Sequence, residues 1–410
     1  MQDKLKRNDN FVTKGLTMVA NRNFRIYIVM GLIVVAFSVL TLFVISQESS
    51  RENLPSVQID ERAHDVRAQE IIDRCEKDVH CAVMLLQELA NKEERSVVIT
   101  SFQDVIAIYK ESSVFCHSYA HHLGMWLYAY VQNVSQALSY ANPILCGGAL
   151  YHGIVQNYMM SRVSFAETDP DGIDIRGICP GDTATPTIGR WECIHGVGHG
   201  LTTIYNYDVV TAVQRCNDLD KWERVSCSKG LFMENMINFE KYRVGAFKKK
   251  DIFFPCNAID ESFAPSCYHY HATHIYYEKR NIKEALKECE NVPEEFMNYC
   301  YRGMGRLIAY AISTDFGLSS ICKQIDDWYK ADCYKGIVMV FADNRSTEEA
   351  LNFCKFVPAE FKRDCYGEVG KWILMVYPTG QERAKECSKA ENSEYAKLCM
   401  NADLKDLKIL

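Results

Sequence analysis

Cys193-Ile-His-Gly-Val-Gly-His-Gly-Leu201 sets His195 and His199 four residues apart. On a helix both imidazoles then project from one face, one turn apart, which is how a helix offers two ligands to one metal ion. Glycine is worth about 1 kcal/mol less than alanine within a helix. A helix that keeps Gly196, Gly198 and Gly200 therefore implies a neighbouring backbone or a ligand at close range. The theme recurs. Cys116-His-Ser-Tyr-Ala-His-His-Leu-Gly124 carries His117, His121 and His122, and Cys146-Gly-Gly-Ala-Leu-Tyr-His-Gly153 carries His152. Cys267-Tyr-His-Tyr-His-Ala-Thr-His274 adds His269, His271 and His274. Neutral imidazoles suit Zn, Cu, Fe or Ni, and ligand type alone does not choose among them. Glu234, in Leu231-Phe-Met-Glu-Asn235, is the nearest carboxylate candidate, as ligand or general base. The plain alternative is a set of hydrogen-bonded core histidines at close helix contacts. No Gly-x-Ser-x-Gly elbow, P-loop or His-Glu-x-x-His is present.

The elements that must position these residues are read from the cysteines. The chain has 410 residues, 18 of them cysteine, with net charge -7. The charge excludes a nucleic-acid-binding role for the chain as a whole. An even cysteine count at regular spacing, with no Cys-x2-Cys pair, points to disulfides in an oxidising compartment. Cys216/Cys227, Cys256/Cys267, Cys289/Cys300, Cys322/Cys333 and Cys354/Cys365 are each eleven apart, and Cys387/Cys399 twelve apart. From Cys256 onward the first cysteines of the pairs recur at a steady interval of about 33 residues, the mark of stacked units. Within a unit, Ser346 followed by acids opens one helix, Pro358 breaks the chain, and Phe361 to Tyr377 forms a second. Each unit is a helical hairpin with a cysteine near the end of its first helix and another near the start of its second. Nine disulfides are expected, those six pairs closing single hairpins. The competing pattern would join Cys300 to Cys322 and so on down the array.

The second helices can be phased by setting each cysteine at zero and advancing about 100° per residue. Offset +6, at about 240°, holds His122, His152, His199, Met233, Thr273, Arg306, Met339 and Lys371. Offset +2, at about 200°, holds His195, Lys229, His269, Arg302 and Lys335. This face points away from the partner helix and lines the inner surface of a stacked array. His117 and His121, at about 100° and about 140°, sit at its edge, and the histidines form a candidate metal set of His117, His121, His122, His152, His195, His199 and His269. Lys229, Arg302, Arg306, Lys335 and Lys371 form a candidate anion-binding set.

The period and the hairpin resemble tetratricopeptide and Sel1-like repeats, and the regular cysteine pair resembles secreted Sel1-like proteins with disulfide-linked hairpins. The likeness covers roughly residues 205–400 and is architectural; it implies binding through a concave surface and carries over no catalytic residue. A metal site built from helical hairpins is also similar in concept to the HEAT-type deoxyhypusine hydroxylase, whose His-Glu dipeptides this chain lacks.

Residues 1–25 are polar and basic, and residues 26–45 run without a charge, long enough for a membrane-spanning helix. The basic flank precedes the span, so residues 47–410 are expected outside a cell membrane that the chain crosses once. Residues 46–60 read as a linker, 61–204 as a His/Cys-rich helical domain with an Asp/Gly/Pro/Thr-rich insertion at 162–192, and 205–403 as the hairpin repeats. The fold class expected is all-α: a single transmembrane helix, then an α/α-hairpin repeat solenoid cross-linked by disulfides. The function expected is a membrane-anchored extracytoplasmic protein binding a transition-metal ion (Zn, Cu or Fe), with room for metal-dependent catalysis. The alternative is a non-enzymatic module holding an envelope protein or an anionic ligand on its concave face.

Overall fold

The computed structural model describes residues 66–403 except 77, 113–115, 167–168, 182, 184–185, 238–250, 312–314 and 345. All of them belong to one compact unit, Ala63–Leu410. The described residues are helical. α1 (Val66–Cys75), α2 (Val79–Ala90) and α3 (Arg95–Ser112) precede α4 (Cys116–Val131), α5 (Val134–Tyr140) and α6 (Ala149–Ala166). Then come α7 (Ile188–Ile204), α8 (Val209–Ala212), α9 (Lys221–Ile237) and α10 (Ala264–Lys279). The remaining helices are α11 (Ile282–Glu288), α12 (Glu294–Ala311), α13 (Asp315–Cys322), α14 (Asp327–Asn344), α15 (Thr347–Cys354), α16 (Ala359–Val376), α17 (Gly380–Cys387) and α18 (Ser393–Met400).

Local chemistry sets the helix starts. Ser346 accepts from the Glu349 amide ahead of α15, Thr379 and Glu382 form a reciprocal capping box on α17, and Asn281 caps α11. The longer helices pack in sequence: α4 on α6, α6 on α7, α7 on α9, α9 on α10, then α12, α14, α16 and α18 in turn. Nine disulfides staple this stack. Six lie within hairpins: Cys216–Cys227, Cys256–Cys267, Cys289–Cys300, Cys322–Cys333, Cys354–Cys365 and Cys387–Cys399. The other three are Cys75–Cys81, Cys116–Cys146 and Cys179–Cys193. So many bridges mark an extracellular or secreted type of protein, folded in an oxidising compartment.

A second repeat runs beside the cysteines. The tyrosine after each helix cysteine meets the ring four residues before the next: Tyr268–Phe296, Tyr301–Tyr329, Tyr334–Phe361 and Tyr366–Tyr395, with centroids 5.6, 5.0, 5.7 and 4.6 Å apart. Each such contact is worth about 0.5–1.5 kcal/mol beyond its burial. The 162–192 insertion is tied down too. Cys179 bonds to Cys193, Ile173, Ile175 and Ile178 are buried, and Arg215 donates to the carbonyls of Pro170 and Ile173 at 2.8 and 2.9 Å.

The expected fold class is corrected in one respect. Among the described residues no helix is long and apolar enough to cross a membrane. The longest helices have 18 residues, and several carry Lys, Arg, Asp or Glu along their length. The basic tail, the apolar stretch 26–45 and the linker 46–60 lie outside the described residues. The fold established here is all-helical and disulfide-stapled.

Candidate metal centre

α7 and α9 cross at glycines. A Cβ on Gly198 would overlap the Cys227 carbonyl, and one on Gly230 the His195 carbonyl. Only bare backbones at both positions allow this approach. It lets side chains beside the crossing meet. His199 Nδ1 lies 2.7 Å from Glu234 Oε2, and His195 Nε2 lies 3.4 Å from Met233 Sδ. α6 packs against α7 on the other side and brings in His152, whose ring centroid is 4.5 Å from that of His195 and 4.9 Å from that of His199. α4 adds His117, 5.3 Å from His152, and His121, 5.1 Å from His199. Five imidazoles from three helices thus share one interior space.

Their hydrogen bonds follow one rule. His117 Nδ1 lies 2.8 Å from the Cys146 carbonyl, His152 Nε2 lies 2.8 Å from Glu192 Oε2, and His199 Nδ1 is held by Glu234. In each case the other nitrogen (Nε2 of His117, Nδ1 of His152, Nε2 of His199) is buried without a partner among the described residues, as is Nε2 of His121. Buried polar atoms without partners are rare because each costs its desolvation free energy. One nitrogen anchored to an acceptor and the other left open is how metal-ligating histidines are built. Possible ligand atoms of His152, His195 and His199 lie within 4.8 Å of one another, and so do those of His121, His199 and Glu234. Nitrogens around tetrahedral zinc stand about 3.4 Å apart, so the rings would draw inward by up to about 1.4 Å on binding.

Electrostatics favours the ligating form. Burial pulls His121, His152 and His195 well below the usual histidine range, and His117 down to about 3. These four rings are therefore neutral, with a lone pair available. Burial pushes the Glu192 carboxyl well up. Burial would raise Glu234 as well, but its bond to His199 outweighs this and holds it down to about 2. Tyr207 donates to the other Glu234 oxygen at 3.1 Å.

A cavity of about 40 Å³ adjoins the cluster. His117, His152, His195 and Glu192 are among its lining residues, with Lys229, Arg306, Tyr270, Asp343 and Trp372. Lys229 and Arg306 of the candidate anion set therefore face this space. Arg302, Lys335 and Lys371 do not line it and are engaged in ion pairs. Arg302 pairs with Asp332 at 3.3 Å and Glu368 at 3.6 Å, Lys335 with Asp364 at 2.9 Å, and Lys371 with Glu368 at 3.2 Å.

Two candidate ligands stand apart. His122 is exposed, with Nδ1 on its own Ser118 carbonyl, and its ring meets His80. His269 is buried on α10 against Tyr270, in neither ligand group. His122 misses the cluster because Cys116 bridges forward to Cys146, whereas the hairpin cysteines bridge back to their own first helix. That turns α4 so that offsets +1 and +5, His117 and His121, face inward.

Sequence reasoning missed Glu192 and Asp343. Glu192 directly precedes Cys193, and offset -1 falls beside the face that offsets +2 and +6 share. Extending the same phasing one residue backward would have found it. Offset +10 from Cys333 returns Asp343 to the edge of that face as well.

No protein-family model, curated protein or solved structure matches this chain.

Proposed function

We propose that this chain is an extracytoplasmic metal-binding protein whose centre is formed by His152, His195 and His199, with His117 and His121 at its edge. The observation that carries the reading is the paired state of the rings: three are anchored through one nitrogen and leave the other open and buried. A transition-metal ion satisfies those nitrogens together, where core packing leaves each unpaired. Glu234, and Glu192 once a bound cation favours its ionised form, act from behind the rings, fixing which nitrogen keeps its proton. An imidazole-rich donor set suits copper, zinc or iron. The adjoining cavity gives a small molecule a place beside the ion, the arrangement of a metal-dependent enzyme.

A concave-face binding module resting on Arg302, Lys335 and Lys371 is less favoured, since carboxylates of the same chain already meet all three. The test is metal content. The purified chain should retain at least one transition-metal ion per molecule, and His195→Ala with His199→Ala should retain none while keeping its helical circular dichroism. Background metal in the wild type after supplementation with copper, zinc and iron in turn would sink the proposal.

A further inference from the structure

The cations two residues after a helix cysteine follow a pairing rule with one exception. Arg302, two residues after Cys300, pairs with Asp332, the residue before Cys333. Lys335, two after Cys333, pairs with Asp364, the residue before Cys365. Lys229 stands two after Cys227, and the residue before the next helix cysteine, Cys267, is Ser266. Ser266 is instead bonded to Ser228 at 2.8 Å. Among the described residues no carboxylate comes within ion-pair distance of Lys229. Its side chain is buried and lines the cavity.

Two further donors line the same cavity, alongside the acids Glu192 and Asp343. Arg306 also makes no ion pair among the described residues; its guanidinium lies over the Tyr270 ring at 4.6 Å and the Tyr310 ring at 5.4 Å. Trp372 is buried, lines the cavity, and its indole N–H has no acceptor among the described residues. Lys, Arg and the Trp indole can only donate. Three donors without acceptors, two of them cationic, line a space with room for roughly three or four water-sized groups.

We propose that this cavity binds a small oxyanion of about three or four heavy atoms, a carboxylate or an inorganic oxyanion, gripped by Arg306, Lys229 and Trp372 and presented to the histidine cluster. The anion grip stands on the donors alone; only the ion it meets beyond them rests on the metal reading. Such an anion supplies the acceptors the donors lack, and charge-assisted bonds of this type are about twice as strong as neutral ones. Asp343, which burial raises to about 7, lines the same space as a group able to hold a proton beside the anion. Burial likewise lowers Lys229 to about 7, as expected for an ammonium awaiting a counter-charge.

The experiment is titration calorimetry of the full, disulfide-intact chain with formate, and with formamide as the uncharged molecule of the same size. Formate should bind, formamide should not, and Arg306→Gln should weaken formate at least tenfold without changing metal content. Trp372→Phe should weaken it by a smaller factor. Lys229→Met should match Arg306→Gln; should it not fold, the partly buried Arg306 carries the test. Bicarbonate and nitrite in parallel runs separate inorganic oxyanions from carboxylates. Equal binding of formamide, or formate affinity indifferent to Arg306→Gln, overturns the proposal. A chain that holds metal yet ignores all three anions overturns the anion site alone. One that holds formate through Arg306 but never metal overturns only the metal reading.

Discussion

The inner face of the helical stack is finished in two ways. Across α12, α14 and α16 the cations Arg302, Lys335 and Lys371 are each answered by an acid, and Arg302, 2% exposed, sits between Asp332 and Glu368. Across α4, α6 and α7 the same face holds His117, His152 and His199, each half answered, with one nitrogen bonded and one open. In the first region every one of these charges meets a counter-charge. The second has ligand atoms left over, and left-over polar atoms in a dry interior point to something bound there.

The difference should emerge most strongly in stability. Arg302→Met leaves Glu368 buried without its main counter-charge, and breaking a buried pair from one side costs about 3–5 kcal/mol. Urea denaturation with disulfides intact should show that loss with metal content unchanged. A loss below about 1 kcal/mol would mean the two regions are not finished differently. Glu192→Gln should do the reverse: little change in metal-free stability, but a metal affinity about 10–100-fold weaker as His152 loses its anchor. Competition with a chromophoric chelator reads this directly, and unchanged affinity would remove Glu192 from the account.

Acid sharpens the contrast further. His121, His152 and His195 are depressed in the folded protein, so the unfolded chain takes up protons first as pH falls through about 6.5. Their stability contribution is present above that value and is lost progressively below it, by about 1.4 kcal/mol per pH unit for each ring. The metal-free protein should therefore weaken steeply between about pH 6.5 and the depressed values, and His152→Ala should flatten the slope. A slope equal in both would mean the ring is not buried as neutral imidazole. The smallest effect belongs to the outer end of the ion-pair region. Lys335→Met removes a partner from Asp364, whose side chain is 45% exposed, and should cost about 0–1 kcal/mol.

Much of this was legible in the sequence. The cysteine period announced the hairpins, and the helical phase of His152, His195 and His199 put them on the face where the structure finds them. The phase failed where its reference failed: Cys116 points forward to Cys146, so counting from it put His122 on the inner face and left the inward His117 and His121 at its edge. The answering acids Asp332 and Asp364 were hidden because they precede their cysteines and belong to the next helix, a relation set by stacking between units. Glu192 was hidden by the same one-residue blind spot. The helix partners of the glycines were not readable either. That Gly198 and Gly230 cross each other, and so place His199 on Glu234, depends on which helices are neighbours.

The central claim is that the open nitrogens converge on one metal ion. X-ray absorption at the zinc edge of the zinc-loaded full chain tests it most directly. The account predicts nearest neighbours at about 2.0–2.1 Å with the outer scattering of at least three imidazole rings, lost in the His195→Ala, His199→Ala double variant. A spectrum of oxygen neighbours without imidazole scattering, or one unchanged in that variant, would contradict it.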